Sequence, residues 1–240
     1  MKRTERRHLK QNELQTLALQ VRQLFEMRRR EMNIAVAALL GVVVIAGGYF
    51  VWRERVQSRA YALLAQAMAV QEAKVASAPG ITPSSPGAYP TERARLEAAV
   101  SKFKAAADAY PSSDAGMFAR YQEAVGRVQL GDPAAAVPAY QDVIQRAGNR
   151  IYGQMARLGL AEAQARAGQY EQAINAFKEM AQRKDGPLPI DGILMQLGRT
   201  YRDAGKRADA QQTFNRLVDE YPESPFTQEA KRELDTLNKT

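Results

Sequence analysis

Nucleophilic and metal chemistry draws on histidine, cysteine or converging carboxylates, and this chain of 240 residues offers little of any. It has one histidine, His8, set in a basic tail, and no cysteine. A disulfide framework, a thiolate metal site and a cysteine nucleophile are excluded, and serine–histidine or multi-histidine sites are nearly closed off. Carboxylate chemistry stays open, yet Asp and Glu fall at scattered helical phases, as solvated surface does. Gly205-Lys206 lacks the upstream glycine and the preceding strand of a phosphate-binding loop. No catalytic residue, cofactor, metal or small-molecule substrate is expected, and the chain reads as a non-enzyme.

The charge is unevenly placed. The formal net charge is +8. Residues 1–31 hold nine basic and four acidic groups, residues 32–52 hold none, and residues 53–240 hold 25 basic and 22 acidic. The basic character therefore belongs mainly to the tail, and a nucleic-acid partner, which needs a basic face on the folded part, is not expected.

Residues 32–52 read MNIAVAALLGVVVIAGGYFVW, with Asn33 as the one strongly polar residue. A helix of this length crosses a hydrocarbon core of about 30 Å. Its ten strongly apolar residues favour the bilayer by about 3–6 kcal/mol, and Tyr49 and Trp52 stand where aromatic rings suit an interface. Residues 12–31 carry four basic groups and residues 53–72 three. With the short basic tail this predicts a cytoplasmic N-terminus and residues 53–240 on the far side. The rival is a cleaved signal peptide, for which Ala46-Gly47-Gly48 offers a small-residue pattern. The apolar and charged stretches are longer than such a peptide needs, so an uncut anchor is expected. Within the tail, Leu14, Leu17, Ala18, Val21, Leu24 and Phe25 recur at helical spacing. They read either as an amphipathic helix on the inner leaflet or as a plain helical lead-in.

These features must be carried by a larger pattern, and one recurs every 37 residues. Ala99, Ala136, Ala173 and Ala210 are followed four residues on by Phe103, Tyr140, Phe177 and Phe214. Three further on stand Ala106, Val143, Met180 and Leu217, and five before the alanines stand Ala94, Gly131, Gly168 and Gly205. A small residue recurs upstream at Ala124, Ala161 and Gly198. Small residues let two antiparallel helices approach, the aromatic fills the gap to its neighbour, and glycine breaks the helix at the turn. Each pair leaves an apolar side uncovered, so units must stack. All these repeated residues are read as core.

This pattern resembles the tetratricopeptide repeat family. Leu197-Gly198, Tyr201, Gly205, Ala210, Phe214 and Pro222 match it well, and so do Leu160-Ala161, Gly168-Gln169-Tyr170, Ala173 and Phe177. The family period is 34, and the three additional residues fall around 114–116, 151–153 and 188–190. The expected fold is all-α: a tetratricopeptide-repeat solenoid of antiparallel helix pairs preceded by a single transmembrane helix. The expected organisation is a basic tail at 1–31, the span at 32–52, a helix at 53–76 and a Pro-rich loop at 77–91. The repeat array follows at 92–223 and a capping helix at 224–240. The helix at 53–76 is expected to continue from the membrane and to serve as the first helix of the first repeat. Val56, Leu63, Leu64, Met68 and Val70 would make its contacts.

The resemblance implies a concave groove for protein partners lined by the first helix of each pair. Its positions on this chain are Phe118, Tyr121, Val125 and Val128; Met155, Leu158, Glu162 and Arg166; and Met195, Arg199 and Arg202. A clamp for chaperone C-terminal carboxylates needs Lys and Asn where this chain has Tyr121, Leu158 and Met195, then Val125, Glu162 and Arg199, so that clamp is absent. Tail, span and repeats together are similar to the bacterial YfgM-like family of ancillary Sec translocon subunits. That resemblance implies a single-pass inner-membrane protein with its repeats in the periplasm. Its expected contacts are the bilayer, translocon subunits, periplasmic chaperones or client polypeptides. A structural scaffold for envelope assembly or division, self-associating through Ala37 and Gly41, stays open beside it.

Overall fold

The computed structural model describes residues 29–76, 87–183 and 188–239. The helix expected in the tail and residues 77–86 of the Pro-rich segment lie outside them. Among the described residues there are nine helices and no strand beyond an isolated bridge between Val75 and Tyr89. The chain divides into two compact units, 1–55 and 56–240.

Helix α1 runs Arg29–Gln71 and so contributes to both units. In the first unit its side chains are exposed from Asn33 to Arg55, Ile34, Leu39, Val44, Ile45 and Phe50 among them. Its most apolar stretch has a mean hydropathy of 2.5 and none of it is buried. It is long and apolar enough to cross a membrane.

The second unit opens on the rest of α1. Ala60, Leu64 and Ala67 form one buried stripe against Ala99, Phe103 and Ala106 of α2 (Glu92–Ala109) and Ala115 and Ala119 of α3 (Asp114–Gln129). Leu63 and Val70 flank this stripe, whereas Met68, expected in it, is exposed. The helix ends at Gln71 rather than Ala76. Residues 74–76 pair with Tyr89 instead: Ala76 N donates to Tyr89 O at 2.9 Å, and Tyr89 N to Lys74 O at 2.8 Å.

Helices α4 (Pro133–Ala147), α5 (Ile151–Arg166), α6 (Tyr170–Gln182), α7 (Ile190–Asp203) and α8 (Arg207–Glu220) continue the pairs. The repeated alanines 99, 136, 173 and 210 are fully buried, and Phe103, Phe177 and Phe214 are at most 1% exposed. Burying each ring is worth about 1.5–3 kcal/mol. The small residues are needed for close approach: a Cβ on Gly198 would lie 2.4 Å from Phe214 Cε1, and one on Gly159 2.6 Å from the Tyr140 ring. The first helices start at Asp114, Ile151 and Ile190, where the three additional residues fall. At two of them Gly116 and Gly153 abut the carbonyls of Tyr110 and Gly148, leaving no room for a Cβ.

The turns within pairs are built alike. Gly131, Gly168 and Gly205 have φ of 84°, 77° and 73°, a left-handed conformation that strains any residue with a Cβ. The next residue closes the helix in each case: Asp132 N donates to Arg127 O at 3.0 Å, Gln169 N to Gln164 O at 2.8 Å, and Lys206 N to Tyr201 O at 2.8 Å. These are Schellman closures. Gly168→Ala is expected to cost about 1–2 kcal/mol in urea denaturation; an unchanged midpoint would mean the left-handed turn does not hold the hairpin.

Helix α9 (Thr227–Lys239) begins 37 residues after α7. It is the first helix of a further unit, turning Ala230 and Leu237 inward and leaving a polar outer face. Arg202 Nη1 grips both Glu233 carboxylate oxygens at 2.6 and 2.7 Å, and Arg199 pairs with Glu229.

Candidate partner-binding groove

Stacking places the first helices α3, α5 and α7 side by side, so residues 37 apart line one surface. Phe118, Tyr121, Val125 and Val128 of α3 are half-buried, as are Met155, Leu158 and Glu162 of α5, while Arg166 is exposed. Phe118 meets Tyr152 with ring centroids 5.7 Å apart, and Tyr121 meets Tyr140 edge to face at 5.9 Å. Ten of the eleven expected groove residues keep some accessible surface. The exception is Met195. It is fully buried in the C-terminal core with Ile193, Leu194 and Leu197, so it packs the array and is not a groove residue. Arg199 and Arg202 are accessible but already hold carboxylates of α9.

A pocket of about 210 Å³ opens between α5 and α7. Its lining includes Glu162, Ala165, Arg166, Phe177, Gln196 and Arg199. Burial pushes the Glu162 carboxyl above its ordinary value of 4.5, against the opposing pull of Arg166 and Arg199. Burial likewise raises the Tyr121 and Tyr140 hydroxyls, and the Glu162 charge adds to both shifts. The stability consequence has a definite sign. A raised carboxyl stays protonated in the folded chain while the unfolded chain ionises, so the penalty is absent below the unfolded value, grows as pH rises from the unfolded towards the folded value and is complete above it. Glu162→Gln is therefore expected to match the native chain in thermal unfolding near pH 4 and to exceed it near pH 8. Equal curves at both pH values would contradict this.

A second cleft, of about 490 Å³, lies on a different face of α3, between α2 and α4. At its floor is a feature that sequence reasoning missed. Glu123 is buried, accepting from Arg120 Nη1 at 2.6 Å and from Arg127 Nε and Nη2 at 3.0 and 2.8 Å. Arg120 also bonds Asp108 on α2 and, through Nε, Asp142 on α4 at 3.1 Å. Lys104 and Arg120 together hold the Asp108 carboxyl below its usual value. A signal was present: Glu123 stands 37 and 74 residues before Leu160 and Leu197, a charged residue at a leucine position with arginines three before and four after it.

The sequence profile of the tetratricopeptide repeat-like domain matches residues 30–238. The chain belongs to the tetratricopeptide repeat-like domain family. Two solved structures of tetratricopeptide-like repeats from a putative kinesin light chain of Podosopora anserina, one of them a point-substituted form, are similar in fold. Their TM-scores are 0.57 for the unsubstituted form and 0.58 for the substituted one, each at 13% identity over 76% of this chain, covering 87% and 86% of theirs. YrrB, described as a tetratricopeptide repeat protein with an unusual peptide-binding site, overlaps less, with a TM-score of 0.43 at 20% identity over 58% of this chain and 74% of that one. No curated protein matches the chain. In tetratricopeptide terms, α3, α5 and α7 are the first helices of successive repeats, and the Glu123 network joins the second helices α2 and α4 across the first helix between them.

Proposed function

We propose that this tetratricopeptide repeat-like protein is a membrane-anchored protein-interaction module. Residues 32–52 hold it in the bilayer, the basic tail stays in the cytoplasm, and the repeats work on the far side in a bacterial periplasm. The groove of α3 and α5 receives a protein partner. The observation that carries this reading is an exposed apolar helix of spanning length on the same chain as a repeat array. The excess of basic groups in residues 1–31 supports the orientation. The finer reading is an ancillary Sec translocon subunit of the YfgM-like kind. It would meet translocon subunits, periplasmic chaperones or emerging clients.

The test is photocrosslinking in native membranes from Leu158 in the groove and from Gln145 on α4, which is exposed outside it. Adducts with translocon or chaperone subunits from Leu158 and none from Gln145 are expected. Absence of such adducts from Leu158 would contradict the adaptor role.

A further inference from the structure

The repeat array is finished differently at its two ends. Helix α9 closes the C-terminal end with a polar outer face. The first helix at the other end is α1, and its outer face is apolar. Three large apolar side chains are exposed among the described residues of 56–240, and two of them, Tyr61 and Met68, lie on α1, 49% and 37% exposed. Counted in sevens with Arg55 at position a, the inward residues Ala60, Leu63, Leu64 and Ala67 fall at b, c and f. Ser58, Ala62, Ala65 and Ala69 fall at a and d, Tyr61 and Met68 at g, and all six are exposed. Below Gln71, α1 therefore carries two apolar faces, and the array covers one. The other has the spacing of a seam between two parallel helices, with small residues along the line of closest approach.

The charges say what covers it. In a parallel pair, position g of one helix meets position e of the next heptad on the other, and these contacts select the partner. Here that g is Glu54 and that e is Arg59, opposite in sign. Both are exposed, and neither holds a hydrogen bond or ion pair among the described residues. One heptad on, Tyr61 and Gln66 repeat the relation with a hydroxyl and an amide. Arg55 at a costs stability but fixes the register. The face thus complements itself. We infer that α1 is a homodimerisation helix: its outer face from Glu54 to Ala69 pairs in parallel with the same face of a second copy of this chain, through two symmetric Glu54–Arg59 contacts and an alanine seam flanked by Tyr61 and Met68. The parallel direction rests on the reading of residues 32–52 as an anchor, since two copies held in one bilayer with one topology run the same way.

The chain has no cysteine, so one introduced thiol reports its own neighbourhood. Ala65→Cys stands at d in the seam, and Ser101→Cys is an exposed control on α2. The full chain in native membranes is oxidised with copper phenanthroline. Ala65→Cys is expected to give a species of twice the monomer mass, because like residues at d come within disulfide reach, and Ser101→Cys is expected to give none. Added to Ala65→Cys, Glu54→Arg should slow the crosslinking about fivefold, the loss of two exposed charge pairs. Glu54→Arg with Arg59→Glu should restore it. Matched helical circular dichroism shows that the variants fold. No doubled species from Ala65→Cys in chains that resist alkaline washing would overturn the dimer while leaving the anchor intact. Equal crosslinking from Ser101→Cys, an adduct of another mass in place of the doubled one, or indifference to Glu54→Arg would also overturn it. Release of the chain by alkaline washing would overturn the anchor and the parallel pairing together.

Discussion

Phe214→Ala is expected to lower the stability of the C-terminal repeats by about 3–5 kcal/mol, the usual cost of emptying a buried aromatic site. The ring is fully buried and contributes to a core that also includes Ala210, Leu217, Tyr201 and Ala230. Its neighbour makes the argument sharper. Gly198 has no room for a Cβ, which would fall 2.4 to 2.7 Å from three atoms of the same ring. Gly198→Val is therefore expected to cost about 1–3 kcal/mol through overpacking. The two substitutions together should cost less than their sum, because removing the ring vacates the space the new side chain needs. Urea titration followed by helical circular dichroism, with hydrogen exchange in α7 and α8, reads all three. Strict additivity would mean that the ring and the glycine do not share that space.

The second large effect is expected at Glu123. Glu123→Ala leaves Arg127 without its carboxylate and takes one of three acids from Arg120. Breaking a buried ion pair by removing one partner costs about 3–5 kcal/mol. Arg120 keeps Asp108 and Asp142, and Arg127 is partly exposed, so a loss of about 2–3 kcal/mol is expected here. Glu123→Leu should cost clearly less. It restores the residue type found at Leu160 and Leu197 and supplies apolar contact in place of charge. If leucine proved as damaging as alanine, the ion pairs and not the volume would dominate the site. If neither substitution mattered, the network would be ornamental.

The repeat was legible because its determinants are steric and recur. A buried alanine, an aromatic four residues on and a glycine with positive φ can be read as spacing alone, and each lands where the period puts it. The first repeat was legible only in part. Apolar bulk pointed to Met68, but α1 packs through Ala60 and Ala67, since closely approaching helices meet through small residues. The groove was harder still. Carrying positions along by register placed Met195 in it, yet that side chain turns into the core, where it joins Leu194 and Leu197. Arg199 and Arg202 kept their place on the surface but proved to be held by α9, a contact between segments about 30 residues apart that no local spacing announces. Glu123 was passed over because charged residues on a helix ordinarily face water. Its burial depends on arginines one turn away on both sides and on acids from two other helices.

A repeat array tethered outside the cytoplasm by α1 is the central claim, and protease digestion of intact spheroplasts tests it most directly. The full-length chain should stay with the membranes after alkaline washing, and added protease should remove residues 53–240 while cytoplasmic markers survive. Digestion of the repeats only after the spheroplasts are lysed would contradict it.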